Sequence, residues 1–235
     1  SDGTFTGHNL AVHRSYDRPI VGDFNGDCYS DVLWYQTGTG FDSLWHGTAF
    51  GFLGQPITAN GTYRSFAGDF DGDRRDDIFW YGPGSAPDYL WFGKADGGFS
   101  GKGIEENRNA RPVVGDYNND GWPDLHTTSY QSERCSLYRN LGKGRFERVA
   151  LSEAESAGYP IQAQNSFLRD LTGNGRVDLI AQKGALTENF VYKTNEGGKW
   201  SAKEQAFLLS GGITAEHVFT GDEVRSADLD TDKNI

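Results

Sequence analysis

The sequence predicts an all-β protein, a propeller of four-stranded antiparallel blades. Three observations predict it. An acidic loop recurs as Asp23-Phe24-Asn25-Gly26-Asp27, Asp69-Phe70-Asp71-Gly72-Asp73, Asp116-Tyr117-Asn118-Asn119-Asp120, Asp170-Leu171-Thr172-Gly173-Asn174 and Asp228-Leu229-Asp230-Thr231-Asp232, with first aspartates 46, 47, 54 and 58 residues apart. A glycine-rich turn ending in an aromatic runs in register with it, at Phe5, Phe52, Phe99, Phe146 and Trp200, with spacings of 47, 47, 47 and 54. Between the markers lie short runs of β-branched and aromatic residues bounded by Gly and Asp, which read as strands. Four strands per period of about 47 residues suit a propeller blade.

In chain order, residues 1–12 are expected to form the outer strand of a preceding or closing blade. Blades follow over 13–60, 61–108, 109–160 and 161–216, and 217–235 supply the first strand and loop of an incomplete blade. In the first blade, Ile20-Val21-Gly22 leads into the acidic loop, Val32-Leu33-Trp34-Tyr35 leaves it, and Ser43-Leu44-Trp45 makes the third strand. The second repeats this with Ile78-Phe79-Trp80-Tyr81 and Tyr89-Leu90-Trp91-Phe92. These runs are nearly continuous in apolar residues, as expected of sheets covered on both faces. Insertions over Ser152–Gly158, of helical composition, and Gly211–Glu216 are expected on the working face of the array. Four to five blades are therefore expected here, as part of a larger propeller.

Composition excludes several classes. The 235 residues carry 33 acidic and 22 basic side chains, for a formal charge of −11, so no basic face is available for nucleic acid. Aromatics reach 14%, too many for a disordered acidic polymer. No run of about 18 apolar residues is present, so membrane insertion is not expected. The chain has no methionine and no secretory leader, and any signal peptide is expected to lie outside it. Cys28 and Cys135 do not make a disulfide framework and are not expected to pair.

The acidic loop reads D-x-[DN]-x-D-x-x-x-D, with side-chain oxygens at positions 1, 3, 5 and 9 and a main-chain carbonyl expected at position 7. That pattern suits Ca²⁺, which takes six to eight oxygen ligands in flexible geometry. The candidate sets are Asp23, Asn25, Asp27, Tyr29 and Asp31; Asp69, Asp71, Asp73, Arg75 and Asp77; Asp116, Asn118, Asp120, Trp122 and Asp124; and Asp170, Thr172, Asn174, Arg176 and Asp178. A fifth loop contributes Asp228, Asp230 and Asp232. Fifteen of the 33 acidic residues sit at the ligand positions of these loops, and one Ca²⁺ per loop, up to five, would bring the net charge near zero. No His or Cys recurs at matching positions, which argues against Zn²⁺ or copper. The bland alternative, Asp-Gly clusters acting only as turn formers, suits one loop better than five in register.

These residues resemble FG-GAP/VCBS repeats, the calcium-loop blades of integrin α-chain propellers and of many secreted proteins. Val21-Gly22-Asp23-Phe24-Asn25-Gly26-Asp27, Ala67-Gly68-Asp69-Phe70-Asp71-Gly72-Asp73, Val114-Gly115-Asp116-Tyr117 and the turn Arg139-Asn140-Leu141-Gly142-Lys143-Gly144-Arg145-Phe146 carry the resemblance. Cys28 and Arg74 depart from it where a loop glycine is usual, and Thr172 and Asn174 where acidic residues are. The resemblance implies a secreted or cell-surface propeller acting as a lectin-like glycan-binding module. Its alternatives are an integrin-like protein-adhesion surface and part of a polysaccharide lyase or glycoside hydrolase. Implied partners are a glycan or an extracellular protein, with further blades or a second domain outside the chain.

No residues are assigned to catalysis. Neither a nucleophile motif nor a phosphate-cradling loop is present, and the paired carboxylates are assigned to metal. The recurring aromatics Trp34-Tyr35, Trp80-Tyr81, Leu44-Trp45 and Leu90-Trp91 are expected between blades, because they share one register. Trp122, outside that register, is the better candidate for surface contact. His8, His13, His46, His126 and His217 share no spacing and are read as surface or satisfied core residues.

Overall fold

The structure is a computed structural model that describes residues 12, 16, 18–104, 110–129, 136–149, 166–182, 190–203 and 205–206. The described strands are β1 (Arg18–Gly22), β2 (Asp31–Tyr35), β3 (Asp42–Thr48), β4 (Gly51–Ile57), β5 (Arg64–Gly68), β6 (Asp77–Tyr81), β7 (Asp88–Gly93), β8 (Phe99–Ile104), β9 (Ala110–Gly115), β10 (Asp124–Ser129), β11 (Ser136–Asn140), β12 (Phe146–Arg148), β13 (Ser166–Arg169), β14 (Asp178–Gln182), β15 (Phe190–Lys193) and β16 (Gln205–Ala206). They form four antiparallel sheets of four strands, each in sequence order. No helix occurs among the described residues. This is the blade the sequence predicts: consecutive hairpins, with the acidic loop always joining the first strand to the second.

Contacts divide the chain into two units, one of residues 7–109 with 141–145, the other of 1–6, 110–140 and 146–235. In the first unit, β1 of the first blade lies beside β5 of the second. Ile20, Leu33, Tyr35 and Leu44 from the first blade meet Ile78 and Trp80 from the second, with Phe24 and Ala59 completing the core. Burying such side chains gives about 1.5–3 kcal/mol each. Rings interlock at the seam: Tyr35 stands edge-on to Trp80 at 5.1 Å, and Trp80 to Trp91 at 5.2 Å.

In the second unit, β9 lies beside β13. Its core is Val113, Tyr117, Leu137, Val149, Leu168, Leu179 and Trp200. His126 is fully buried there, and burial pushes its imidazole down to about 3, so it is neutral at ordinary pH.

The two repeat markers prove to be contact partners. The aromatic at loop position 2 of one blade packs on the turn aromatic of the next: Phe24 on Phe99 at 5.3 Å, and Tyr117 on Trp200 at 5.1 Å. Their common period is the spacing of neighbouring blades.

The continuous burial expected of the strands holds for β6, where Asp77–Tyr81 are all buried. It does not hold for β2, which alternates between buried and half-buried. Leu33 and Tyr35 face the second blade, whereas Val32 and Trp34 lie on the opposite face of the sheet. Tyr35, Trp80 and Tyr81 are core, as expected, and Trp34 and Trp45 are only half-buried. Cys28 is exposed and free, while Cys135, both insertions, residues 1–11 and the fifth loop lie outside the described residues.

Candidate metal centre in the strand 1–2 loops

Each described loop is tied by one hydrogen-bond scheme, set by its Asp/Asn/Asp pattern. The carboxylate at position 1 accepts from main-chain amides further along the loop. Asp23 takes Gly26, Asp27 and Cys28 at 2.8, 3.1 and 2.9 Å, and Asp69 takes Gly72, Asp73 and Arg74 at 2.7, 3.1 and 2.9 Å. Asp116 accepts from Asp120 and Gly121, and Asp170 from Asn174 and Gly175. Position 3 accepts from the amide two residues on, at Asn25, Asp71 and Asn118. Position 5 does the same, at Asp27, Asp73, Asp120 and Asn174. Short polar side chains favour such local turns. A carboxylate has about four lone-pair sites, so each acceptor keeps capacity for a cation.

Positions 4 and 6 are left-handed. Position 4 is Gly26, Gly72, Asn119 or Gly173 (φ 77, 81, 60 and 69°), and position 6 is Cys28, Arg74, Gly121 or Gly175 (φ 70, 72, 91 and 80°). The two departures from the family pattern, Cys28 and Arg74, therefore carry side chains where the backbone favours glycine.

Position 9 opens the second strand and is buried in every described loop, at Asp31, Asp77, Asp124 and Asp178. One oxygen accepts from the amide at position 2, namely Phe24, Phe70, Tyr117 or Leu171, at 2.8–3.0 Å. The other accepts from an amide at or near the end of the third strand, at Gly47, Gly93, Asn140 or Asn195, at 2.7–2.9 Å. This aspartate thus pins loop, second strand and third strand together, a role the ligand spacing alone did not reveal.

In the second loop, Asp69, Asp71 and Asp77 bring carboxylate oxygens within 4.8 Å of one another. Burial first, then the facing carboxylates of Asp71 and Asp69, push the Asp77 carboxyl up to about 7. Asp71 is raised by burial and by Asp73. Asp124 is pushed up to about 6, chiefly by burial. Asp73 pairs with the Arg75 guanidinium, whose Nε also donates to the Gly93 carbonyl at 2.9 Å. An all-oxygen set of crowded carboxylates suits a hard divalent cation, which would relieve the repulsion that adds to the effect of burial.

The first loop differs. Asp23, Asn25, Asp27 and Asp31 share one scheme, and His46 places Nδ1 3.3 Å from Asp31 Oδ2 and 3.5 Å from Asn25 Nδ2. The third-strand register marks His46, because it stands where the second blade has Phe92. Tyr29 at position 7 is exposed, and Trp122 at the same position of the third loop is half-buried.

Three further acidic groups escaped the sequence pattern. Asp42 accepts from Gln36 and Ala59 at 2.8 and 2.6 Å, and Asp88 from Gly82 at 2.7 Å. Their shared register, 46 residues apart at the start of the third strand, was a readable signal. Asp76, at position 8 of the second loop, clamps the first. It accepts from the Asp23 amide at 2.8 Å while its own amide donates to the Asp23 carbonyl at 2.8 Å.

The model of the FG-GAP-like repeat family matches residues 69–127 and 116–181. No curated protein matches the chain. The matched segments run through the second, third and fourth acidic loops, and the first loop has the same hydrogen bonds, strand order and sheet. Residues 69–181 thus match FG-GAP-like repeats, and the four described sheets have the strand order of β-propeller blades.

Proposed function

We propose that the chain is a calcium-stabilised, extracellular binding module whose ligand is a glycan. The observation that carries the calcium part is the Asp69, Asp71 and Asp77 cluster, three carboxylates within 4.8 Å in a loop repeated along the chain. In each described loop the cation would be held at positions 1, 3, 5 and 9, with the carbonyl of Tyr29, Arg75, Trp122 or Arg176 as a further oxygen. Asp228, Asp230 and Asp232 would serve the fifth loop. Its part is structural: it would neutralise carboxylates that otherwise repel and fix the hairpin between the first two strands. A site filled at ten times its dissociation constant adds about 1.4 kcal/mol. Extracellular calcium modules bind at about 10⁻⁴–10⁻³ M, which fits the location the repeat type suggests. No helix among the described residues is long and apolar enough to cross a membrane.

The glycan part rests on Tyr29 and Trp122, flat rings at position 7 of two loops, with the exposed Phe41 and Phe50 on other turns of the first blade. A ring presented on a rigid turn offers a stacking surface for the apolar face of a sugar.

Thermal unfolding with EDTA and with millimolar Ca²⁺ tests the metal. A melting temperature that rises with Ca²⁺ supports it, and an unchanged one leaves the loops as turns. A glycan array probed with the Ca²⁺-loaded chain tests the ligand, with Tyr29→Ala and Trp122→Ala expected to weaken any signal. Capture of an extracellular protein without glycan binding would favour adhesion instead. Turnover of a polysaccharide by this chain would favour an enzyme.

A further inference from the structure

Asp76 belongs to no ligand set yet stands between two of them. It is position 8 of the second loop, and two hydrogen bonds join it to the main chain of the first. Its Oδ2 accepts from the Asp23 amide, and its own amide donates to the Asp23 carbonyl, both at 2.8 Å. Asp23 is position 1 of the first loop, where its carboxylate gathers the Gly26, Asp27 and Cys28 amides. Asp76 itself is flanked by Arg75 and Asp77, positions 7 and 9 of the second loop. The approach is close, since a Cβ on Gly22 would stand 2.8 Å from Asp76 Oδ2. The Asp76 carboxylate also faces those of Asp23, Asp69 and Asp31, so one negative charge is shared by both ligand sets. The second unit builds the same place without a polar group. There Gly115 precedes position 1 of the third loop, and a Cβ on it would meet Leu168 and Val177, at 3.0 and 3.4 Å. Val177 is position 8 of the fourth loop. Position 8 of the other two loops, Ser30 and Pro123, has no carboxylate either.

We propose that the first and second loops take up their cations as a coupled pair, with Asp76 as the positioning residue that links them. The inference rests on the calcium reading above and adds to it a dependence of one site on another. The Arg75 carbonyl and the Asp77 carboxylate would hold the cation of the second loop. They flank Asp76, so filling that loop fixes the chain on both sides of it. A fixed Asp76 holds the Asp23 main chain at both its amide and its carbonyl. With it is held the carboxylate that heads the first loop. The ordering of the shared segment is then met once for two cations, which is the physical content of positive coupling. The Asp76 charge acts in the same direction, because it faces both ligand sets and offsets the repulsion between two dications. Linkage makes the effect reciprocal. The third and fourth loops meet through Val177, lack this polar link and fill independently.

Ca²⁺ titration of the full chain followed by nuclear magnetic resonance tests this. Each loop has a glycine amide bonded to its own position 1 carboxylate, at Gly26, Gly72, Gly121 and Gly175, and so reports its own filling. Asp71→Ala removes a ligand of the second loop, and Gly72 shows that the loop stays empty. The first loop, read at Gly26, is then expected to bind about tenfold more weakly. Asp27→Ala, which disables the first loop, should weaken binding at Gly72 by the same factor. With Asp76→Val added, which copies Val177, Asp71→Ala should leave the Gly26 curve unchanged. Asp76→Asn keeps an acceptor for the Asp23 amide and should keep most of the coupling, which a misfolded variant would not. In the second unit, Asp120→Ala should leave the Gly175 curve unchanged. A Gly26 curve indifferent to an empty second loop overturns the coupling while the calcium reading stands. So does one that responds equally with and without Asp76→Val. Glycine amides that do not move in any loop at millimolar Ca²⁺ overturn both.

Discussion

The two units share one loop and one strand order but fill their sheets differently. Position 12 after the first loop aspartate is Trp34 or Trp80 in the first unit and Thr127 or Ala181 in the second. The third-strand residue that pairs with position 10 follows suit, Trp45 or Trp91 against Tyr138 or Lys193. Position 11 is Leu33 or Phe79 in one, His126 or Ile180 in the other. The ring pair between adjacent blades survives in both, as Phe24 with Phe99 and Tyr117 with Trp200. The buried position 9 aspartate survives as well. The hydrogen-bonded frame of the blade is thus independent of how the seam is packed. The end of the third strand shows the same economy. Gly93 sits where a Cβ would run into the Phe24 carbonyl, whereas Asn195 donates its amide to the Tyr117 carbonyl at 2.7 Å. One unit removes the side chain and the other employs it.

The largest test of this contrast is Trp80→Ala. Truncating a fully buried ring costs about 3–5 kcal/mol, whereas Thr127→Ala in the second unit loses a methyl and one hydrogen bond, about 1–2 kcal/mol. Equal losses in urea unfolding would erase the difference between the two seams. Next comes the shared frame. Asp77→Ala and Asp178→Ala each strand buried amides and are expected to cost at least about 2 kcal/mol, by similar amounts. A large effect in one unit only would break the claim of a common frame. Asn195→Gly should cost about 1 kcal/mol by removing the amide that meets the Tyr117 carbonyl. The smallest effect reverses sign between units. Cys28→Gly and Arg74→Gly are expected to stabilise by about 1 kcal/mol, and Gly121→Ala and Gly175→Ala to destabilise by a similar amount, because all four positions are left-handed. Melting temperatures of the four variants check this directly.

The blade was legible because both markers and the strands between them repeat in the sequence. The aromatic seam was legible in kind, since Trp80 and Tyr35 sit at a fixed register, though Trp34 shows that register alone does not say which copy is fully buried. The pinning role of position 9 was not legible. A carboxylate is the same letter whether it meets a cation or two amides, and its partner near the end of the third strand, such as Gly47, lies 16 residues away. Asp76 was hidden more deeply, because its partner Asp23 belongs to another blade, 53 residues distant. His46 was not legible because it stands alone in its strand register, where the second blade has Phe92.

The pairing of Phe24 with Phe99 and of Tyr117 with Trp200 bears on how such a chain grows and shrinks. Each of these pairs joins two neighbouring blades, so a single period is not a self-contained inheritable part. Position 2 is aromatic in the first three loops, as Phe24, Phe70 and Tyr117, and leucine in the fourth, as Leu171. A duplication or loss of one whole period, wherever its breakpoints fall, hands the orphaned ring at loop position 2 a new ring at the next fourth strand. Gene-level changes in repeat number therefore join surfaces that already match, and each joint can then drift on its own, as Trp80 and Ala181 show.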